Sequence, residues 1–339
     1  MDVSVIIPVY NAEKYIKKTI ESCLRLPEVK EIVVVDDGYK DRSKEIVAEM
    51  AKMNPIIKLY EHPNNENRGA GMSRNLGILK ATQKYIAFLD ADDYFSSNRF
   101  VKDKDVLENN PDADGSYNAI GCYFYSELAK KKYLKYFPST ITTVNSSVNP
   151  TPNNLFKGLL GMISNYGYFH LDGLTVKRDS LLKNQIFFPS LKLHQDTVFI
   201  FQLAYYTRLY AAEIDIPVAY RGVHEENRIT ANFQIEKIKN HNKYLFWKYL
   251  LDWAKKEKID KEILSFFKRQ KSVYNLLSDE LPKPIKLIIG ILKNPKIILD
   301  SKYRDLHTMY LGNSSITNFF LKIRKMLGFF CRSIGKIKA

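Results

Sequence analysis

The sequence contains few cysteines: Cys23, Cys122 and Cys331 are the three in 339 residues. Their odd number and wide spacing exclude the paired framework of a small disulfide-rich domain and give no zinc-ligand spacing. We therefore expect a cytoplasmic protein. The first residues, Met1 to Ser4, also lack the basic stretch that opens a signal peptide, so a buried strand is predicted there.

Long uninterrupted apolar runs are absent as well. The most apolar stretch late in the chain, residues 285–299, is broken by three lysines, a glycine and a proline. A helix that spans a bilayer needs about 20 mostly apolar residues, so none is expected here. Hydrophobic residues make up 45% and charged residues 26% of the chain, which is typical of a globular protein and excludes general disorder.

The net charge of +15 is distributed unevenly along the chain. Residues 231–339 contain 23 Lys and Arg against 9 Asp and Glu, whereas residues 1–230 contain 29 against 28. An enzyme acting on nucleic acid would carry its excess positive charge at the active cleft, so no nucleic-acid partner is predicted. The basic end of the chain instead favours a docking surface for anionic lipid.

Short apolar runs alternate with segments of helical period over the first ninety residues. This pattern is typical of a parallel sheet covered by helices. We predict an α/β fold with a mostly parallel sheet flanked by helices over residues 1–230, and a basic, mainly helical extension over residues 231–339. The predicted strands are residues 3–7, 32–35, 58–60, 85–89 and 173–176, and the predicted helices residues 15–23 (capped at Asn11), 43–53, 73–81 and 197–209, with a long loop at 136–154.

Acidic residues follow two of the predicted strands. Asp36-Asp37-Gly38 comes after the second strand and Asp90-Ala91-Asp92-Asp93 after the fourth. Ligands of open α/β sheets bind outside the carboxyl ends of the strands, so these carboxylates are expected to face one crevice. Clustered carboxylates suit Mg²⁺ or Mn²⁺, although a solvated acidic turn would give the same pattern.

Four motifs occur in a specific order and spacing, and together they resemble family 2 glycosyltransferases of the glycosyltransferase-A type fold. The motifs are Val5-Ile6-Ile7-Pro8-Val9-Tyr10-Asn11, Val33-Val34-Val35-Asp36-Asp37-Gly38, Ser73-Arg74-Asn75-Leu76-Gly77 and Phe88-Leu89-Asp90-Ala91-Asp92-Asp93. The resemblance is strong over residues 1–100 and weaker to about residue 230. It implies an enzyme of bacterial surface polysaccharide synthesis that takes sugar from a nucleotide donor.

The resemblance implies a donor site for a UDP-sugar. Pro8, Tyr10 and Asp37 would hold the uracil, Arg74 would approach the nucleotide, and Asp90 would lie on the ribose side. Each residue also has an ordinary structural alternative: a proline can end a strand, an Asp-Gly pair can form a turn, and an arginine can pair with a nearby carboxylate.

The resemblance also implies the metal site and the catalytic base. Asp92 would bind Mn²⁺ or Mg²⁺ and bridge it to the diphosphate, and His224 would complete that site unless it is merely a solvated loop histidine. An inverting transfer needs a base at the acceptor hydroxyl, and Asp196 is the candidate. Gln195 stands where the family often has an acid, and Asp196 could instead cap the helix that follows.

The acceptor is predicted to be a hydroxyl of a glycan or a lipid-linked molecule. Residues 316–339 form a basic amphipathic pattern that would contact an anionic membrane or else pack on the catalytic domain or on a partner subunit. The sequence does not indicate an oligomeric state. A nucleotidyltransferase would need a glycine-rich phosphate loop near the N-terminus, and only Gly69-Ala70-Gly71 comes close. A non-catalytic nucleotide-binding membrane adaptor is the other alternative.

Overall fold

The computed structural model describes residues 1–38, 40–134, 141–225 and 236–278. The chain divides into two compact units, Met1–Ala231 and Asn232–Ala339. Among the described residues, no helix is both long enough and apolar enough to cross a membrane. The apolar stretch 285–299 and the amphipathic segment 316–339 lie outside the described residues, so the membrane contact remains a prediction from the sequence.

The described residues of the first unit form strands and helices that are numbered here in chain order. Strands β1 to β11 are Val3–Val9, Val29–Asp36, Ile57–Glu61, Tyr85–Phe88, Tyr94–Phe95, Gly115–Tyr117, Ile120–Phe124, Ile141–Thr142, Leu174–Lys177, Leu209–Ala211 and Ala219–Val223. Helices α1 to α8 are Ile16–Leu24, Ser43–Met53, Ala70–Lys80, Val101–Asn109, Glu127–Tyr133, Pro152–Leu159, Arg178–Lys183 and Gln195–Tyr206.

The main sheet has seven strands in the order β10-β6-β9-β4-β1-β2-β3. Strand β9 runs antiparallel to both of its neighbours, and the other pairs in this sheet are parallel. The central strands are buried on both faces, which explains their continuous apolar sequences. The predicted mostly parallel α/β sheet is confirmed. A second sheet has the order β5-β11-β7-β8.

The central strands determine where the acidic motifs lie. Strand β1 lies between β2 and β4 and is parallel to both, with Val9 opposite Asp36. The backbone N–H of Asp37 donates to the carbonyl of Val9 at 2.8 Å, and that of Leu89 donates to the carbonyl of Ile6 at 3.1 Å. The carboxyl ends of the three strands therefore meet at one edge of the sheet.

Several predicted element boundaries were wrong. Helix α1 begins at Ile16, and Asn11 does not cap it: Asn11 has φ 51° and its side-chain oxygen accepts from the N–H of Lys40 at 2.8 Å. Helix α3 begins at Ala70, three residues before its predicted start. Helix α8 begins at Gln195 and ends before Leu209, which lies in β10. The described part of the predicted loop at 136–154 contains β8 and the start of α6.

The second unit contains the helices α9 (Glu236–Lys256) and α10 (Lys261–Ser278). Their apolar faces meet: the ring of Trp247 lies edge-on to that of Phe266, with centroids 5.6 Å apart, and Leu250 and Phe267 are fully buried. The described part of this unit is thus a helical pair with its own apolar core.

Candidate active site

Asp37 is buried just beyond the end of β2, where its carboxylate binds the loop that leads into α3. One oxygen accepts from the backbone N–H groups of Arg68 at 2.7 Å and Gly69 at 3.0 Å. The imidazole of His62 lies 3.8 Å from the same oxygen. The loop is therefore fixed at the edge of the sheet by a charged acceptor, which forms stronger hydrogen bonds than a neutral one.

The other two residues predicted for the base pocket lie at the same edge. Pro8 is buried in β1 opposite Val35, and Tyr10 is half-buried immediately after the strand. Because Val9 and Asp37 are joined by a backbone hydrogen bond, Pro8, Tyr10 and Asp37 occupy the ends of two neighbouring strands. The structure thus brings together the three residues that the sequence predicted for the base pocket.

Arg74 is buried and forms an ion pair with the partly exposed Asp90. Its guanidinium donates to the Asp90 carboxylate and lies 5.4 Å from the centre of the Phe188 ring. Burial lowers the pKa of Arg74, but the carboxylates of Asp90, Asp196 and Asp172 raise it more, so the net shift is upward. The pair places the guanidinium of Arg74 beside the carboxyl end of β4, where Asp90 balances its charge.

Asp92 pairs with His224 from the far end of the first unit's sequence. His224 follows β11, and its Nε2 lies 3.1 Å from an oxygen of Asp92. Tyr15 stacks on the imidazole with ring centroids 4.4 Å apart, and the Tyr125 hydroxyl donates to the carbonyl of Asp92 at 3.1 Å. The side chain of Asp92 is 30% exposed and that of His224 is 9% exposed, so the pair opens to solvent on the Asp92 side.

A second carboxylate cluster lies behind this pair. Asp90, Asp93 and Asp172 each place an oxygen within 4.8 Å of the others. Asp172 belongs to the turn before β9, and His170 lies 3.3 Å from it. Burial raises the pKa of Asp93 well above its ordinary value, and the negative charge of Asp172 adds to this effect. Burial acts in the same direction on Asp172, but His170 outweighs it and lowers the pKa of Asp172. The pKa values of the two carboxyls are therefore shifted in opposite directions, upward for Asp93 and downward for Asp172.

The two acidic groupings differ in how well they suit a divalent metal. Asp93 and Asp172 are almost completely buried, and Asp93 already accepts from the backbone N–H of Gly222 at 2.7 Å. Asp92 and His224 offer a partly exposed carboxylate oxygen and an imidazole nitrogen, a donor set that Mn²⁺ accepts and that can share the ion with a phosphate. The Asp92–His224 pair therefore fits a metal–diphosphate site better than the buried cluster does.

Asp196 lies in the first turn of α8 but does not cap it. The cap position belongs to His194, which has φ 63°, and Asp196 accepts from the N–H of Thr197 at 2.8 Å. The alternative role as N-cap is therefore wrong. The preceding residue, Gln195, packs against the first turn of α3, where a Cβ added at Gly71 would overlap its carboxamide. This contact explains why the second residue of α3 is a glycine.

The segment that leads to Asp196 is joined to α3 at a second point. The side chain of Asn75 donates to the carbonyl of Phe188 at 2.9 Å and accepts from the N–H of Phe188 at 2.8 Å. The ring of Phe188 stacks on that of Phe199 in α8 with centroids 4.0 Å apart. The helix that carries Asp196 is therefore held in place by the same helix that carries Arg74.

A cavity of about 510 Å³ lies next to Asp196. Asp196 and Thr197 line it together with most residues of the segment 158–170, which begins at the end of α6 and leads towards β9. Cavities of this size are common binding sites for small ligands. Asp196 thus lines a cavity, and its charge is close enough to Arg74 to raise the pKa of the guanidinium.

Asp172, His170 and Gly222 were not predicted from the sequence to lie at the site. His170 and Asp172 come directly before β9, and because β9 runs antiparallel, its start lies at the edge where the parallel strands end. An acid before an apolar strand would have been a signal only if the direction of that strand were known. Gly222 comes two residues before His224, but its contacts depend on how the two sheets pack against each other.

Comparisons with known proteins identify the family. Residues 4–157 match glycosyl transferase family 2. The uncharacterized glycosyltransferase EpsJ of Bacillus subtilis is 37% identical over 132 residues, which cover 38% of this chain and 36% of EpsJ. The minor teichoic acid biosynthesis protein GgaA of the same species is 27% identical over 237 residues, which cover 67% of this chain and 48% of GgaA. The chain thus matches less than half the length of these relatives.

The solved structure of S. aureus TarS residues 1–349 in complex with UDP-GlcNAc superposes with a TM-score of 0.55. The match covers 91% of this chain and 82% of that chain at 19% identity, which supports the likeness of fold. A second crystal structure of S. aureus TarS gives a TM-score of 0.53 at 17% identity, covering 96% of this chain and 53% of that chain. The family match therefore applies to residues 4–157, and the solved structures support the glycosyltransferase-A type fold.

Proposed function

We propose that this protein is an inverting, metal-dependent glycosyltransferase. It transfers a hexose or N-acetylhexosamine from a UDP-sugar to a hydroxyl of a glycan or lipid-linked acceptor in surface polysaccharide synthesis. The observation that carries the proposal is the position of Asp196, which lines the cavity and directly follows Gln195, the residue that packs on the helix carrying Arg74. The similarity to the minor teichoic acid biosynthesis protein GgaA supports the pathway, and the UDP-GlcNAc bound to TarS supports the donor.

The donor would bind along the edge of the main sheet. Pro8, Tyr10 and Asp37 would take the uracil, and Asp90 would receive the ribose while remaining paired with Arg74. The guanidinium of Arg74 offers positive charge close to the diphosphate, and bidentate arginine contacts suit phosphate oxygens. The nucleotide would therefore be held by groups that the fold already fixes.

Asp92 and His224 would hold a divalent cation such as Mn²⁺ or Mg²⁺ at the diphosphate. When bound, such an ion stabilises the negative charge that develops on the departing UDP. The protein contributes the position of these two ligands: Tyr15 orients the imidazole by stacking, and Tyr125 holds the backbone of Asp92. Ligands fixed in this way need little reorganisation when the donor binds.

Asp196 would act as the general base for the acceptor. Its carboxylate accepts the proton of the acceptor hydroxyl as the hydroxyl oxygen forms a bond to the anomeric carbon. The bond between that carbon and the diphosphate breaks on the opposite face, and the electron pair leaves with UDP. Attack from the face opposite the leaving group inverts the anomeric configuration.

The test is release of UDP from a panel of UDP-sugars, with Mn²⁺ and with EDTA, in the presence of candidate glycan acceptors. Asp196→Asn should lower the turnover number for transfer by about 10²- to 10⁴-fold, the usual contribution of a general base. Asp179→Asn is the matched control, because Asp179 is an exposed acid in the first turn of α7. Wild-type turnover by the Asp196 variant would refute its role, and UDP binding without turnover in any wild-type reaction would support the adaptor alternative.

A further inference from the structure

Much of the lining of the cavity next to Asp196 comes from one loop, residues 160–170, which we call the cavity loop. Its backbone is fixed to the segment before α6: the N–H of Asn145 donates to the carbonyl of Tyr166 at 2.9 Å, and that of Tyr168 donates to the carbonyl of Thr143 at 3.3 Å. At Gly167, φ is 80° and an added Cβ would overlap the Thr143 carbonyl. The loop is therefore a fixed wall of the cavity.

The aromatic residues on either side of Tyr168 are anchored in the core. Tyr166 is buried and its hydroxyl donates to the side chain of Asn154 at 2.8 Å. Phe169 is buried and stacks on Tyr117, with ring centroids 4.7 Å apart and planes 12° from parallel. These contacts hold the backbone of Tyr168 from both sides.

Tyr168 itself lines the cavity, and the residue as a whole is 63% exposed. Within the part of the chain that the structure describes, its ring stacks on no other aromatic ring. A large exposed aromatic side chain on a fixed backbone costs little conformational entropy when it binds a ligand. The ring is thus available as a platform for a flat apolar surface.

The rest of the lining combines polar and apolar groups. Asp196, Thr197 and His170 contribute a carboxylate, a hydroxyl and an imidazole, while Ile200 and Phe201 contribute apolar surface. An acyl chain would bury the carboxylate of Asp196 without offering it a hydrogen-bond donor, which is costly. A pyranose ring carries hydroxyl groups around its rim and C–H groups on its faces, so it matches both parts of the lining.

We propose that this cavity is the acceptor site and that it binds a pyranose ring of an acceptor glycan, with one face stacked on Tyr168 and a hydroxyl directed to Asp196. This inference rests on the proposed function, because it supplies that reaction with its acceptor. Tyr168 sets the position of the ring, and Asp196 receives the proton of the hydroxyl that attacks.

Saturation-transfer NMR with simple sugars tests the proposal on the full chain. The probes are the methyl glycosides of glucose, galactose, N-acetylglucosamine and N-acetylgalactosamine, together with octyl glucoside, all in excess UDP and Mn²⁺ to fill the donor site. We expect saturation of the ring protons of at least one glycoside. Tyr168→Ala should weaken that binding roughly tenfold, the loss expected for one aromatic stacking contact.

Two variants serve as controls. Tyr168→Phe keeps the ring and should bind within about twofold of the wild type, if stacking rather than the hydroxyl matters. Ile216→Ala removes an apolar side chain that is 59% exposed outside the cavity lining and should also bind like the wild type. Urea unfolding of each variant verifies that it is folded.

Three results would overturn the inference: no saturation of any sugar ring by the wild type, saturation of the octyl chain alone, or equal binding by Tyr168→Ala and wild type. UDP release by the wild type is measured separately. Sugar binding without UDP release would refute the proposed transferase activity and leave a sugar-binding cavity. UDP release with unchanged binding in Tyr168→Ala would refute only the role of the cavity.

Discussion

Gly222→Ala should damage the active site through a single methyl group. Gly222 lies in β11 beside the acidic turn, and its N–H donates to Asp93 at 2.7 Å. A Cβ built on Gly222 would lie 2.1 Å from the carbonyl oxygen of Asp92 and 2.6 Å from the ring of Tyr125. Ordinary carbon–oxygen contacts are about 3.3 Å or longer, so the turn would have to move by about 1 Å.

This displacement sets the size of the expected effect. Overpacking of a close contact usually costs about 1–3 kcal/mol of unfolding free energy. Because Asp92 lies on the moving turn and would carry the metal, a shift of about 1 Å should lower the turnover number about 10²-fold. The affinity for UDP in the presence of Mn²⁺ should fall as well, because the distance between Asp92 and His224 changes.

Urea unfolding and calorimetric titration with UDP and Mn²⁺ measure the two effects. Gly115→Ala is the matched control, because a Cβ on this strand glycine would lie 2.4 Å from the carbonyl oxygen of Thr175. Gly115 pairs with Val176, toward the end of β9 that is remote from Asp172, so this variant should lose stability but keep its UDP affinity. A folded Gly222→Ala protein with wild-type affinity and turnover would refute the reasoning.

Three further predictions concern the supports of the site. Asn75→Ala removes both hydrogen bonds to Phe188 and should cost about 1–3 kcal/mol by urea unfolding, and it should slow transfer more than it weakens UDP binding. Burial lowers the pKa of His62 below its ordinary value of 6.5, so the unfolded chain takes up a proton at a higher pH than the folded protein and stability is lost as the pH falls below about 6.5; the unfolding free energy should fall between pH 7.5 and 5.5 less steeply in His62→Gln than in the wild type. Arg99→Met leaves Asp103 buried without its ion-pair partner and should cost about 3–5 kcal/mol, a loss that adding Asp103→Leu should partly restore.

The order of the strands along the chain was predictable from the sequence because buried parallel strands have continuous apolar runs. The same reasoning placed Asp37 and Asp90 at one edge, since the carboxyl ends of parallel strands meet there. Helix starts were less predictable. A start depends on the φ of one residue or on one tertiary contact, as His194 and the packing of Gln195 on Gly71 illustrate.

The residues that the sequence analysis missed share a physical cause. Asp172 reaches the site because β9 is reversed in the sheet, and no local pattern records the direction of a strand. Gly222 matters because two separate sheets bring its backbone against Asp92. Such contacts between distant segments arise from the packing of the whole domain, whereas Asp92 and Asp196 could be proposed from motifs within a few residues.

Donor binding is assigned to Asp92 and proton removal to Asp196. One titration tests directly whether these two roles belong to different side chains. UDP affinity in the presence of Mn²⁺ is measured by calorimetry for wild type, Asp92→Asn and Asp196→Asn. Asp92→Asn should weaken binding by at least about tenfold, because a metal ligand is lost, whereas Asp196→Asn should bind within about threefold of wild type. Wild-type affinity in Asp92→Asn, or a comparable loss in Asp196→Asn, would contradict the assignment.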